Sequence, residues 1–512
     1  LIKQDNPFPM VCGAVCNRRC EDACTRGTVD QPLAIDEIKK YISSLDLKKD
    51  DRYVPLCEKH DGGMWGEEYK VAVIGGGPAG LSCAYFLREN GYPVTVFEKS
   101  SRPGGMLMNG IPSYRLEKEI IDAEIDVMRQ MGIDIKCNVN VGEDVTIASL
   151  REQGYKAFFV AVGCQGGRLA GVPGEDADGV QTGVDFLRKV NIDHSIRLSG
   201  DTVVVGGGNV AIDVARTAVR AGASHVTMLC LEGENEMPAA DDEVAEAKEE
   251  GIEVRNGWGP KEIKVENGKV VGIIFKKCTQ VKDESGRFAP KYDENETIEI
   301  SCENVLQSIG QSIQWGNLLD GTKVELRPNG GIIADPLTLQ TAESDIFAGG
   351  DVYTGPRFAI DAIAGGREAA VSINRYVHPG NRLDLARDRR EFVELDKDNI
   401  KIEGFDDAKR QIPGKKAGVA QDTYEDLRET FTEEQVRTEA NRCLGCGATT
   451  VDENRCVGCG LCTTKCEFDA IHLKRAMPQA STMVRCEDKL GKIGPYVMKR
   501  GLKIIKRNIT GK

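Results

Sequence analysis

From Tyr69 onward the chain alternates short apolar runs with glycine-rich turns and helical stretches. Val71-Ala72-Val73-Ile74 is an unbroken apolar run of strand length, the pattern of a strand buried on both faces of a parallel sheet. A glycine turn, a helix predicted over Leu81 to Arg88 and a second strand, Val94 to Phe97, follow it. Thr202-Val203-Val204-Val205 opens a second unit with the same rhythm. Between the two lie Phe158 to Gly163 and the loop Gly171 to Glu175; beyond them, Val305 to Gly310 and Ile346 to Asp351 return to strand-then-glycine texture. Nearer the start, Ile35, Ile38, Ile42 and Leu45 recur at helical spacing and predict a helix over Leu33 to Leu47. Residues 381–440 lose the rhythm, are rich in charge, and read as a bridging segment with some helix. From Lys474 the chain holds eleven Lys or Arg against only Glu487 and Asp488. No tandem repeat of solenoid type occurs, only the two related units.

Length changes this picture first: 512 residues exceed one core, and about 150 per domain predicts three or four units. A hydrophobic share of 40% with 29% charged residues is ordinary globular composition. No uncharged apolar run reaches the length of a membrane span. The balance of 67 basic against 80 acidic residues, −13 in all, has the wrong sign for a dedicated nucleic-acid binder. Eighteen cysteines are clustered, four between 12 and 24 and six between 443 and 466. In a long chain that starts with no secretory pattern, such clusters read as metal ligands in a cytoplasmic protein. The chain opens on Leu1, so further residues are expected upstream.

Gly75-Gly76-Gly77-Pro78-Ala79-Gly80 matches G-x-G-x-x-G after a strand and before a helix. The first glycine permits the turn, the second lets backbone approach a pyrophosphate, and the third lets helix and strand pack closely. The helix N-terminus offers unpaired N–H groups to the phosphates, and Glu98 ends the second strand where a carboxylate accepts from a ribose. Gly206-Gly207-Gly208-Asn209-Val210-Ala211 repeats the motif with alanine third, and Val226 to Cys230 leads to Leu231-Glu232. A carboxylate there favours a free 2′-hydroxyl over a 2′-phosphate, hence NAD over NADP; the alternative is that Glu232 points to solvent. Arg216 and Arg255 are the remaining candidates for a phosphate.

Two dinucleotide units, the second inserted in the first, predict that a flavin and a nicotinamide meet at their interface. Gly75 to Gly80, Arg102 to Pro112 and Gly349-Gly350-Asp351 resemble the FAD half of the glutamate synthase small-subunit family, and Gly206 to Arg216 with Glu236-Met237-Pro238-Ala239 resemble its nicotinamide half. The resemblance implies an α/β fold of two Rossmann-like domains, the NAD(P) domain inserted in the FAD domain, with N-terminal helical and C-terminal ferredoxin-like iron–sulfur segments. It places FAD on Gly75, Gly77, Pro78, Ala79, Gly80, Glu98, Lys99, Gly105, Met106, Gly163, Gly350 and Asp351, the last two at the ribityl and phosphate end. The helix after Ala364-Gly365-Gly366 then packs behind the flavin. NAD(P) falls to Gly206, Gly208, Asn209, Val210, Ala211 and Glu232. Where the family commonly carries paired arginines, this chain has Leu231-Glu232, which puts the usual NADP preference in doubt.

Cys83, Cys137, Cys164, Cys230, Cys278 and Cys302 are singletons, so no dithiol pair is predicted beside the flavin, and they read as small buried hydrophobes. Electrons must leave by another route. Cys456-x2-Cys459-x2-Cys462-x3-Cys466 has the spacing of bacterial ferredoxins, with Glu467 replacing the usual proline. Cys443-x2-Cys446 lies upstream; a four-thiolate zinc site is the alternative, and it leaves Cys462 and Cys466 unused. Cys12, Cys16, Cys20 and Cys24 recur every four residues, and a continuous helix would spread them over roughly 18 Å, too far for one cluster. Loops must intervene, or clusters share ligands. In the family such cysteines cooperate with an R-C-x2-C stretch, which here occurs at Arg442 to Cys446. The expectation is that the C-terminal segment folds back and the two groups hold two [4Fe–4S] clusters. The resemblance makes Cys12 the weakest ligand and Glu37 a further candidate.

The expected boundaries are 1–66 for an N-terminal iron–sulfur domain, 67–198 and 311–380 for the FAD-binding parts and 199–310 for the NAD(P)-binding domain. A bridge at 381–440, a ferredoxin-like domain at 441–475 and a basic tail at 476–512 complete them. The predicted function is hydride transfer between NAD(P)H and FAD and single-electron transfer to the clusters and on to a partner subunit. The layout resembles subunits of anaerobic electron-bifurcating transhydrogenase complexes. A stand-alone NAD(P)H:ferredoxin or acceptor oxidoreductase and a glutamate synthase small subunit are the alternatives. Expected partners are other oxidoreductase subunits and ferredoxin in a hetero-oligomer, without nucleic acid or a membrane span. Lys499, Arg500, Lys503, Lys506 and Arg507 read either as a docking surface for an acidic partner or as a solvated tail. No catalytic proton donor is identified.

Overall fold

The structure, a computed structural model, describes residues 1–57, 69–378, 380–385, 387, 397, 404–418, 422–446, 456–466, 471–474 and 488–510. Among the described residues, fifteen strands carry the topology. β1 (Lys70–Ile74), β2 (Val94–Phe97), β3 (Asp134–Lys136) and β4 (Tyr155–Val160) come first, followed by β5 (Gly166–Gly167) and β6 (Val180–Thr182). β7 (Thr202–Val205), β8 (Val226–Cys230) and β9 (Glu253–Asn256) lead to the long strands β10 (Trp258–Glu266), β11 (Lys269–Lys282) and β12 (Phe288–Ser301). β13 (Asn304–Gln307), β14 (Gln311–Ser312) and β15 (Ile346–Ala348) complete the set.

The first parallel sheet has the order β15-β4-β1-β2-β3, and the second the order β6-β13-β7-β8-β9. β15 returns to pair with β4 after the second sheet is finished, so that sheet is inserted in the first. The apolar runs explain the central positions: β1 and β7 are flanked on both sides, and Val71, Ala72, Val73, Val203 and Val204 are buried. Each large aliphatic or aromatic side chain buried in this way stabilises the fold by roughly 1.5–3 kcal/mol.

Two features depart from the expected organisation. β6 lies within 67–198 yet pairs with β13, so the chain enters the second sheet before residue 198. Its three half-buried residues make no apolar run to mark the crossing. β10, β11 and β12 form an antiparallel sheet within the nicotinamide half that the strand–glycine rhythm does not foretell.

The helix Pro78–Glu89 lies against Ala359–Tyr376, where Ser82 Oγ donates to the Ile363 carbonyl at 2.8 Å. At the N-terminus the helix Pro9–Val15 is pinned by buried Glu124, which accepts from the backbone N–H groups of Met10 and Val11 at 2.7 and 3.1 Å. These are first-turn donors that the helix itself leaves unpaired. Residues Leu1–Arg387 and Asp396–Cys446 form one compact unit. The described part of Gly447–Lys512 belongs to a second, with helices Leu461–Lys465 and Lys489–Thr510. Lys489–Thr510 of the basic stretch is a helix, whereas its charge density predicts a tail.

Candidate flavin, nicotinamide and iron–sulfur sites

A cavity of about 1530 Å³ opens between the two parallel sheets. Single-ligand pockets span roughly 300–1,000 Å³, so this one has room for more than one small ligand. Its wall includes Gly75, Gly77, Pro78 and Ala79 from the first glycine loop, and Glu98 and Lys99 from the end of β2. Gly105, Met106, Gly163, Gly350 and Asp351 line it as well. Gly80 stands behind the wall: a Cβ there would lie 1.9 Å from the Gly75 carbonyl oxygen, which is the close packing a third glycine permits. From the second loop Gly208, Asn209 and Val210 reach the cavity, whereas Gly206, Ala211 and Glu232 do not line it.

The residues present fit FAD and a nicotinamide dinucleotide. Helices Pro78–Glu89 and Asn209–Arg220 start at Gly77 and Gly208 without a side-chain cap, leaving backbone donors for phosphates. Glu98 Oε2 accepts from the Gly76 N–H at 2.6 Å, and a Cβ on Gly76 would lie 2.9 Å from that oxygen. Glu232 repeats the arrangement, with Oε2 2.8 Å from the position of a Gly207 Cβ. Both carboxylates thus stand over the second glycine of their loop. Asp351 accepts from the Arg357 N–H at 3.3 Å, and burial pushes its carboxyl up to about 6.

Charged contacts that the sequence pattern does not reveal join the two halves. Arg115 Nη1 donates to both oxygens of Asp213 at 2.8 Å, and Nη2 donates to Glu243 Oε1 at 2.5 Å. The Tyr114 ring lies beneath the Arg220 and Arg216 guanidinium groups at 3.9 and 4.8 Å. Arg216, a candidate for phosphate, is held by Glu246 at 2.5 Å and Glu250 at 2.7 Å, and Arg255 by Glu253 at 2.8 Å. Both are already paired with carboxylates, which argues against the phosphate role. These contacts cross long sequence separations and leave no periodic signal.

The N-terminal cysteines do not share one helix. Cys12 lies in Pro9–Val15, Cys16 follows in extended conformation, Cys20 sits in the short helix Arg19–Asp22, and Cys24 is extended beyond it. Cys12 is a core residue, 1% exposed, with its thiol pushed up to about 12 by burial. Cys16 lines the cavity. Cys20, Cys443 and Cys446 are exposed, as are Cys456, Cys459 and Cys462, while Cys24 and Cys466 are half-buried. Glu37 is buried on helix Ile35–Leu47, and its Oε2 lacks a hydrogen-bond partner.

Among the described residues no three His, Cys, Asp or Glu side chains converge to hold a metal ion. The fit to a cluster lies in the donor set and the backbone. Gly458 and Gly460, interleaved with Cys456, Cys459 and Cys462, take left-handed φ of 66° and 78°, conformations that curl a chain back on itself. The R-C-x2-C stretch does fold back. Arg442 Nη2 donates to Asp30 Oδ1 at 3.0 Å and to the Gln31 carbonyl at 2.7 Å, and Arg26 Nη1 donates to the Arg442 carbonyl at 3.0 Å. Of the singletons, Cys83, Cys164, Cys230, Cys278 and Cys302 are buried and Cys137 is half-buried. Cys164, beside Gly163, has its thiol pushed up to about 12 by burial, so it stays protonated at neutral pH. Cys486 lies outside the described residues.

Residues 69–366 match the pyridine nucleotide-disulphide oxidoreductase family. Residues 1–51 match the 4Fe-4S cluster domain II of dihydropyrimidine dehydrogenase, and 449–472 a 4Fe-4S binding domain. The chain is 37% identical over 478 residues to the NADP(+)-dependent formate dehydrogenase subunit beta of Moorella thermoacetica, covering 87% of this chain and 66% of that protein's length. It is 30% identical to the NADPH-Fe(3+) oxidoreductase subunit beta of Geobacter sulfurreducens, covering 87% of this chain and 70% of the relative. With the glutamate synthase [NADPH] small chain of Escherichia coli the identity is 35%, over 74% of this chain and 82% of the relative. The structure of Mycobacterium tuberculosis FprA in complex with NADPH matches with a TM-score of 0.51 at 21% identity, over 60% of this chain and 84% of that one; it shares the fold. The chain belongs to the pyridine nucleotide-disulphide oxidoreductase family, within its group of flavin- and iron–sulfur-dependent oxidoreductase subunits that includes the glutamate synthase small chain.

Proposed function

We propose that this chain is an electron-transfer flavoprotein subunit that passes hydride between a nicotinamide dinucleotide and FAD, and single electrons between FAD and [4Fe–4S] clusters toward a partner subunit. One observation carries this reading: the same cavity is lined by both glycine loops and by Cys16. FAD supplies the conversion between two-electron and one-electron chemistry. The chain's own residues bind and orient. Gly75, Gly77 and the first turn from Pro78 hold one pyrophosphate, and Gly208 with the first turn from Asn209 holds the other. Glu98 and Glu232 accept from ribose hydroxyls. The clusters fall to Cys16, Cys20, Cys24, Cys443 and Cys446 on one unit and to Cys456, Cys459, Cys462 and Cys466 on the other, with Glu37 as a further donor.

Glu232 selects NADH over NADPH in this reading, since its carboxylate repels a 2′-phosphate. The relatives named above carry NADP(+) or NADPH in their names, so a preference for NADH would set this chain apart from them. The chain spans 66% of the formate dehydrogenase subunit, and its partners are read by class: oxidoreductase subunits and ferredoxin, in a bifurcating transhydrogenase-type complex. Among the described residues no helix is long and apolar enough to cross a membrane; we place the protein in the cytoplasm.

The test is purification of the chain with its flavin and iron, followed by assays with NADH, NADPH, ferredoxin and a dye. Dye reduction with NADH but no turnover with ferredoxin supports a subunit that needs its partner. Full ferredoxin turnover by the chain alone supports the stand-alone alternative. Absence of any nicotinamide-dependent reduction contradicts both.

A further inference from the structure

The helix Lys489–Thr510 is the longest among the described residues, 22 residues, and it carries seven Lys or Arg and no Asp or Glu in a chain of net charge −13. At about 1.5 Å per residue it is roughly 33 Å long. Leu490, Ile493, Val497, Leu502, Ile505 and Ile509 are all exposed, Leu490 at 85% and Ile509 at 78%. With about 100° between successive residues, these six fall within one arc of about 180°. Lys499, Arg500, Lys503 and Lys506 fall in the opposite arc, with no interleaving.

Two physical features decide what covers this face. A helix seated in a coiled coil buries only the narrow a/d seam, and a helix packed in a bundle commonly carries both signs of charge on its flanks. Here the apolar arc covers half the circumference, and every charged residue of the opposite arc, which also holds the exposed Tyr496, is cationic. That division matches a planar boundary, hydrocarbon on one side and anionic headgroups with water on the other. The aliphatic stems of Lys499 and Lys503 can lie along the boundary while their ammonium groups reach the headgroups. The helix is far too charged to span, so it would lie in the interface plane.

We propose that Lys489–Thr510 is a peripheral membrane anchor that docks the protein on an anionic lipid surface, its apolar arc inserted among acyl chains and its basic arc on acidic headgroups. The inference concerns the second unit by itself and does not depend on the redox reading.

The test is flotation of the full chain, with its cofactors, on vesicles of phosphatidylcholine alone or mixed equally with phosphatidylglycerol. Binding is expected only to the mixed vesicles and is expected to weaken as salt rises. The double variant Lys499→Gln/Lys503→Gln should lower partitioning about thirtyfold, the size expected for two basic residues near an anionic surface. Leu502→Glu should abolish it. Flavin content and the melting midpoint should be unchanged in each variant, which separates lost docking from lost folding. Equal binding to neutral vesicles, or binding indifferent to these substitutions, overturns the proposal. So does a chain that ignores the mixed vesicles, including one in which the same variants instead release a co-purifying acidic protein.

Discussion

Arg26 donates from Nη1 to the carbonyl of Arg442 at 3.0 Å, across 416 residues of sequence. That carbonyl belongs to the peptide bond that leads into Cys443, and Arg26 stands two residues after Cys24. The two guanidinium groups share Asp30, with Arg26 Nε at 2.6 Å and Arg442 Nη2 at 3.0 Å from Oδ1. Arg26 holds the Asp30 carboxyl well below the ordinary carboxylate range. Glu439, fully buried, pairs with Arg442 at 2.6 Å and also accepts from the Ala34 N–H at 2.9 Å. The charges therefore tie the R-C-x2-C stretch, Arg442 to Cys446, to the N-terminal cysteine segment.

Arg442→Ala leaves Glu439 buried without its partner and should destabilise the unit by about 3–5 kcal/mol. Denaturant unfolding measures this, and iron content should fall with it if Cys443 and Cys446 are cluster ligands. A loss of only a few tenths of a kcal/mol contradicts the clamp. An unchanged iron content at full folding separates the clamp from the ligand assignment.

Glu232→Arg replaces a carboxylate over Gly207 with a cation. The ratio of kcat/KM for NADH to that for NADPH should fall by about ten- to a hundredfold, the range of one charge-assisted hydrogen bond. An unchanged ratio means that Glu232 does not meet the ribose.

Gly80→Ala places a methyl group 1.9 Å from the Gly75 carbonyl oxygen, so the helix that starts at Pro78 must move away from its glycine loop. Bound flavin, read from its absorbance per chain, should drop at least about tenfold while the second dinucleotide site is spared. Retention of full flavin contradicts the assignment of this loop to FAD.

Asp351 sets a pH dependence in the flavin-free chain. Burial raises its carboxyl from 3.8 to about 6 in the fold. The stability that the neutral acid contributes is present below about pH 4 and is lost as pH rises through 6. Asp351→Asn should therefore stabilise the flavin-free chain at neutral pH by about 1–2 kcal/mol, discounting for partial exposure. The same change should weaken FAD binding. A variant whose melting midpoint is no higher than that of the parent at neutral pH contradicts the buried-carboxyl reading.

The sheets and the loops were legible because burial leaves a local mark. β7 and β8 coincide with the runs Thr202–Val205 and Val226–Cys230, and glycine spacing locates the two turns. β6 was not legible: three half-buried residues carry no run. Arg115 with Asp213, and Arg26 with Arg442, were invisible for a different reason, since ion pairs between distant segments have no period. The helix Lys489–Thr510 does carry a signal in the spacing of Ile493, Val497 and Ile504, but a density of Lys and Arg like this one equally fits a solvated tail. Cysteine spacing identified cluster chemistry and was silent on which thiols meet.

Anaerobic reduction of the purified chain with NADH, followed by EPR, tests the whole electron route in one experiment. The route from nicotinamide through flavin to iron predicts bleaching of the flavin absorbance together with signals of reduced [4Fe–4S] clusters, some of them lost in Cys459→Ser. Flavin bleaching with no cluster signal, or zinc in place of iron and labile sulfide, contradicts it.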